Sequence, residues 1–324
     1  MFGSKILASG HYVPADIVTN DDLAEVIDTS DEWIVSHTGI KQRRVSLQGE
    51  NTSDLATKAA QQALNRAGVK AEDLDFIIVT TFTPDGLAPS TAALVQRNLG
   101  AKKAFGFDLS TACAGFVFGL TTADNFMKAG QYRYGLVVAA EVNSKMMDFR
   151  DRTSTVFFGD GAGAVVLERV DESQGQIGNA GLHTQGDAEV VHSGRVAPLT
   201  ELRSDYYPQV DAFFQEGRQV YEEVTTLIPK HIEEFLAEND LQPDQIDYFI
   251  LHQANLRIIE KVAEILQQPM SKFVTNVEEY GNSSSAGIAM AFDQINQKVD
   301  LTGQKVFLTG FGAGFTYGSI LLNL

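Results

Sequence analysis

Short unbroken apolar runs, separated by polar turns that contain glycine, recur along the chain. Phe76–Thr80 and residues 134–140 are runs of this kind and read as buried strands, and residues 104–109 read as a further strand. Thr52–Ala67 alternates with helical spacing behind Asn51, a capping residue. Residues 88–99 read as helix, and 114–129 as an apolar helix stopped by Gly130. Residues 21–24 and 31–33 open short helices behind Asn, Asp or Ser caps. Strands alternating with helices predict an α/β fold, with a parallel-rich sheet covered by helices on both faces.

The pattern repeats. Residues 69–79 read VKAEDLDFIIV and residues 241–251 read LQPDQIDYFIL, 172 positions later. Residues 114–120, AGFVFGL, and 286–292, AGIAMAF, match at the same separation. Each half also closes on a glycine-rich turn and an apolar strand, FGDGAGAVVLE at 158–168 and GFGAGFTYGSILLNL at 310–324. The reading is a duplicated unit, 1–172 and 173–324, with its boundary in the polar stretch VDESQG. If the equivalent central helices pack together, the layers run α/β/α/β/α.

Composition narrows the function. With 44% apolar and 21% charged residues, the 324-residue chain is an ordinary globular protein rather than a disordered one. A formal charge of −17 opposes nucleic acid as the main partner. The apolar runs are too short to span a bilayer, so no membrane partner is expected, and MFGSKILASG does not read as a signal peptide. One cysteine forms no internal disulfide and points to the cytoplasm. No CxxC, HExxH or histidine cluster offers metal-ligand spacing, and the chain is expected to need no metal or cofactor.

Three residues are placed where chemistry could occur. Cys113, in FDLSTACAGFVFGL, lies between a strand end and a helix start among small neighbours. The helix dipole there favours thiolate; the plainer reading is a buried, inert thiol. His252, in LHQAN, follows an apolar strand, at the end where ligands of parallel sheets bind. Asn282 lies in EEYGNSSSAGIAMAF, whose helix is the repeat partner of the one that opens at Cys113. At the same separation Cys113 corresponds to Ser285, so an approximate twofold axis would bring Asn282 near the sulfur. The plainer reading is a turn and helix cap. Phe105, Phe107, Phe116 and Phe118 are expected in the core.

STACAGF, LHQAN.R, EYGNSSSAG and GFGAGFTYG, in that order, resemble the β-ketoacyl-acyl-carrier-protein synthase III family of thiolase-like condensing enzymes, as does the opening HYVP…VTN.DL…SDEWI…TGI. The resemblance covers essentially the whole chain. It implies a thiolase-like duplicated α/β/α/β/α fold and a Cys113–His252–Asn282 triad. It also implies an oxyanion hole from the N–H groups of Cys113 and Ala313. Trp33 and Arg152 would flank the adenine of coenzyme A, and Asn255 and Arg257 would line the pantetheine tunnel and its mouth. The implied substrates are an acyl-CoA primer and malonyl-acyl-carrier protein, and the implied assembly is a homodimer. His37 replaces a frequent arginine, Ala88 leaves room where some members are bulky, and Arg257 and Lys261 form only a thin basic patch beside Glu260 and Glu264. Those departures keep open a related enzyme of secondary metabolism that makes a polyketide or quinolone starter. A cysteine thioester hydrolase is a further alternative.

Overall fold

The structure is a computed structural model and describes residues 1–187, 189–194 and 210–324. Nine strands form its two main sheets. The first contains β1 (Phe2–Tyr12), β2 (Phe76–Thr80), β3 (Phe105–Leu109), β4 (Tyr134–Glu141) and β5 (Gly161–Asp171), in the order β1-β5-β4-β2-β3. The second contains β6 (Ile177–Thr184), β7 (Tyr248–Leu251), β8 (Lys305–Gly312) and β9 (Thr316–Asn323), in the order β7-β8-β9-β6. The equivalent strands β1, β5, β4, β2 and β6, β9, β8, β7 thus lie in the same sequence. Where β3 would have its counterpart, an isolated parallel bridge joins Phe249 to Phe273.

Both sheets are mixed, which corrects the parallel-rich expectation. β2 runs parallel to β3 and β4, and β7 parallel to β8, but β5 and β9 each pair antiparallel on both sides. A parallel partner needs a crossover of a dozen or more residues. The short turn between β8 and β9 can only reverse the chain.

Six longer helices complete the layers: α1 (Thr52–Ala67), α2 (Thr91–Leu99), α3 (Gly115–Lys128), α4 (Gly217–Glu238), α5 (Leu256–Ile265) and α6 (Ala286–Asn296). Side chains of a strand alternate between faces, and the packing follows that alternation. Phe76 and Ile78 join Phe116 and Leu120 of α3 and Ile288 and Phe292 of α6 in a central layer between the sheets. Ile77 and Val79 face α1 and α2 on the outside of the first sheet. Phe249 and Leu251 face α4 and α5 on the outside of the second. Full burial of each such side chain contributes about 1.5–3 kcal/mol, which explains why both central helices are so apolar. The order is α/β/α/β/α.

Two sequence readings shift locally. Helix α2 starts at Thr91 rather than 88, because the Ser90 hydroxyl accepts from Ala93 N at 3.2 Å and fixes the start. Of the four phenylalanines expected in the core, Phe116 is fully buried, Phe107 and Phe118 are half-buried, and Phe105 is exposed. Phe105 and Phe107 lie on β3, an edge strand with no neighbour on its outer side among the described residues.

Candidate active site

Cys113 sits on a strained elbow. β3 ends at Leu109, a single 3-10 turn spans Ala112–Ala114, and α3 begins at Gly115. Ala112 takes φ 46°, in the left-handed region that a side chain disfavours. No side chain caps the start of α3; the Ala114 N–H donates to Thr111 O at 3.2 Å and the Gly115 N–H to Ala112 O. The end of β8 lies directly on this elbow. A Cβ on Gly310 would stand 2.8 Å from Ala114 Cα, and one on Gly312 would stand 2.7 Å from Cys113 N. Only glycine allows that approach.

The second half builds a matching elbow. Ser284 takes φ 52° and α6 begins at Ala286. The two helix starts meet: a Cβ on Gly115 would stand 3.1 Å from Ser285 Cβ. Asn282, just ahead of this elbow, is tied to the first half by its N–H, which donates to Phe157 O at 2.8 Å. Its side-chain Oδ1 accepts from Ser284 N at 2.8 Å. That bond fixes the amide orientation and turns Nδ2 the other way. His252 follows the last residue of β7. Its N–H donates to Thr309 O at 2.8 Å, and its ring meets Phe311 edge-on at 5.0 Å.

Cys113, His252, Asn282 and Ala313 line one cavity of about 430 Å³, walled by Phe82, Phe158, Phe213, Val224 and Phe315 among others. A space of this size and character suits a small apolar ligand. Ala313 lies between β8 and β9.

The electrostatics differ from the sequence expectation. Burial pushes the Cys113 thiol up to about 12, and Glu141 adds to the rise, while the Ser284 hydroxyl opposes it. The resting sulfur is therefore a thiol; burial outweighs the helix terminus that suggested a thiolate. Burial also drives the His252 imidazole down to about 3, with the Ser284 backbone acting weakly the other way. It is neutral at physiological pH and able to accept a proton.

Glu141, the last residue of β4, is fully buried behind the nucleophile. Thr83 Oγ1, Ser285 Oγ and Thr81 Oγ1 donate to its carboxylate at 2.6, 2.8 and 3.0 Å. Ser284 Oγ lies 3.3 Å from Glu141 Oε1 and 3.2 Å from Cys113 Sγ. Sequence reasoning passed over Glu141 and read Ser284, with Ser283 and Ser285, as a capping residue. One signal was available, a charged residue closing the otherwise apolar run of β4.

Trp33 and Arg152 are brought together, the guanidinium carbon 5.6 Å from the ring centroid. Arg152 Nη1 also donates to Asp28 O at 2.9 Å. His37 stacks on Trp33 with centroids 4.4 Å apart and its Nδ1 2.8 Å from Trp33 O. Asn255 caps α5 by accepting from Ile258 N at 2.9 Å and, with Asn282, borders a small cavity beside the main one. The Arg257 guanidinium is taken up by Ser36 O, Val35 O and Glu260 at 3.0, 2.9 and 2.8 Å. Trp33, Arg152 and Arg257 do not line the cavity that holds Cys113.

Comparison with known proteins bears directly on this arrangement. Residues 107–186 match the family model of 3-oxoacyl-[acyl-carrier-protein (ACP)] synthase III, and residues 236–324 match its C-terminal counterpart. The chain is 54% identical over 321 residues to β-ketoacyl-[acyl-carrier-protein] synthase III 1 of Lactiplantibacillus plantarum, covering 99% of this chain and 98% of that protein. The chain belongs to the β-ketoacyl-[acyl-carrier-protein] synthase III family. It is an acyltransferase with a thiolase fold, an initiating condensing enzyme of type II fatty acid synthesis. The solved synthase III of Aquifex aeolicus superposes with a TM-score of 0.90 at 37% identity, covering 99% of this chain and 100% of that one. The priming β-ketosynthase of the R1128 polyketide pathway superposes with a TM-score of 0.90 at 32% identity, covering 99% and 96%. Both elbows, His252 and Ala313 lie inside the matched segments.

Proposed function

We propose that Cys113 accepts the acyl group of an acyl-CoA primer and that His252 and Asn282 then support its condensation with malonyl-acyl-carrier protein. The observation that carries this reading is the convergence of Cys113, His252, Asn282 and Ala313 on one apolar cavity where the two elbows meet.

In the first half-reaction the Cys113 thiol attacks the thioester carbonyl as the neutral His252 imidazole takes its proton. The N–H groups of Cys113 and Ala313 hold the oxyanion, one such donor lowering the barrier by about 3–4 kcal/mol. Coenzyme A leaves with the proton and the acyl-enzyme remains. In the second half-reaction malonyl thioester loses CO₂. The resulting enolate oxygen accepts from the His252 ring N–H and from Asn282 Nδ2. Its carbon attacks the acyl carbonyl, the C–S bond to Cys113 breaks, and the β-ketoacyl product leaves. The departing thiolate is reprotonated from solvent by way of His252. Trp33 and Arg152 flank the adenine, and Asn255 borders the tunnel for the pantetheine arm. Those substrates fit a cytoplasmic enzyme. The exposed edge of β3, carrying Phe105, is a face on which a second copy can extend the sheet into a homodimer.

The starter-making reading draws support from one feature: the cations beside the site are already engaged, Arg257 as above and Lys261 with Glu264 at 2.9 Å. That leaves little basic surface for an acidic carrier protein. The hydrolase reading lacks the usual orienting acid, since no described carboxylate hydrogen-bonds the His252 ring.

A panel of acyl-CoA primers, offered with malonyl-carrier protein or with malonyl-CoA and read by product mass, tests the proposal. A β-ketoacyl product formed only with the carrier protein is expected; equal use of malonyl-CoA would favour the starter-making enzyme. Cys113→Ser is expected to lose the acyl adduct seen by intact-protein mass, and an unchanged adduct would refute the nucleophile.

A further inference from the structure

We infer that Ser284 is a further hydrogen-bonding partner of the reacting sulfur, and that Glu141 is the positioning residue that holds the Ser284 hydroxyl in place. This rests on the reading of Cys113 as nucleophile. Ser284 Oγ stands between two acceptors, Cys113 Sγ at 3.2 Å and Glu141 Oε1 at 3.3 Å. A hydroxyl has one proton to give. Thiol and thioester sulfurs are weak acceptors, so against them the proton points to the carboxylate. A thiolate is a strong acceptor, so the proton turns to the sulfur, and no heavy atom needs to move. Cys113 carries negative charge twice per cycle, as it attacks the primer and as it is expelled by carbon–carbon bond formation. In each step Ser284 keeps its own proton, while the thiol proton passes to or from His252.

The surroundings are built for this. The Glu141 carboxylate is ringed by Thr81, Thr83 and Ser285 hydroxyls and by the Thr83 N–H at 3.2 Å. Those bonds fix the orientation of a carboxylate that is itself fully buried. Among the described side chains, Ser284 alone links that network to the sulfur. It does so from φ 52°, a conformation that glycine would adopt more easily. Ser285, the repeat equivalent of Cys113, turns instead to Glu141 and to Thr80 O at 3.2 Å.

The test uses the chain's one cysteine. Iodoacetamide alkylation at fixed, mildly alkaline pH is followed by intact-protein mass for wild type, Ser284→Ala and Ser284→Gly. Both variants are expected to alkylate about tenfold more slowly, the worth of one hydrogen bond to a charged group. Glycine relaxes the strained backbone and alanine does not, so a folding effect would separate the two variants, whereas loss of the hydroxyl moves them together. Either variant alkylating at the wild-type rate or faster would overturn the role of Ser284. In a Glu141→Gln background the tenfold ratio is expected to shrink below about threefold; a ratio kept in full would overturn the role of Glu141. Failure of the underlying reading shows separately, as wild-type enzyme left without an acyl adduct on Cys113 after exposure to acyl-CoA.

Discussion

Ala112 and Ser284, 172 positions apart, share one backbone conformation, with φ 46° at the first and 52° at the second. Each lies in the turn that opens a central helix. Holding a residue with a side chain in this region costs roughly 1–3 kcal/mol and persists only where the surroundings enforce it. Here the strain sits twice, at equivalent points, where the halves touch. The duplicated fold places a matched pair of elbows tip to tip; one carries the sulfur and the other its neighbours.

The Asn282 amide is oriented by Ser284 N, so Asn282→Ala is predicted to remove a donor to the enolate and leave the first half-reaction intact. Acyl adduct on Cys113 should form near the wild-type rate, while condensation falls about a hundredfold. Mass of the enzyme and of the product reads the two steps apart, and loss of the adduct would sink the assignment.

Gly312→Ala is predicted to damage both folding and acylation. The new methyl would lie 2.7 Å from Cys113 N and 3.1 Å from Cys113 Cβ. Overpacking of this kind typically costs about 1–3 kcal/mol. A lower melting temperature together with slower acylation is expected; a melting temperature equal to wild type would show that the strand can retreat.

Acid should destabilise the fold in a defined window. His252 and His231 are held by burial at about 3 and about 4, below the usual histidine value near 6.5. The unfolded chain therefore binds protons first as pH falls, and stability present above about pH 6.5 is lost as pH drops toward 4. His231 alone accounts for at most about 3 kcal/mol of this. Melting temperature measured across that range should decline, and less steeply in His231→Gln; an identical decline would refute the assignment. At the other end, the raised Cys113 favours the folded state below about pH 9, an advantage lost as pH rises toward 12.

Trp33→Ala is predicted to raise KM for acyl-CoA about tenfold with kcat within about twofold. A flat heterocycle between Trp33 and Arg152 needs about 7 Å at ordinary van der Waals contact. The present separation is 5.6 Å, so nucleotide binding there is predicted to move Arg152 away from Asp28 O. Steady-state kinetics decides this, and an unchanged KM would place the nucleotide elsewhere.

Much of the fold and site could be read from the chain because it is written at local punctuation. Cys113 lies at a strand-to-helix turn, His252 at a strand end, Asn282 at a Gly-Asn turn, and the repeat connects them. Strand direction was misread because apolar runs carry no sign; connection length sets it. The thiolate was misread because residues next to Cys113 in sequence say nothing of how the fold buries the sulfur, nor of Glu141, which reaches it through space. Ser284 was read as a cap for a related reason: its contact with residue 113 spans the two halves and leaves no local pattern. Phe105 was assigned to the core because an edge strand and a central one carry the same residues.

Val191 and Phe213, which wall the cavity, come from the chain between β6 and α4, whereas the reacting groups stand on strand ends and helix starts of the two sheets. Part of the cavity wall is thus set by residues that carry none of the chemistry. Changes at Val191 or Phe213 are expected to retailor which primer is admitted while the bond-making apparatus stays as it is, so that descendants of one such chain would diverge in diet before they diverge in reaction.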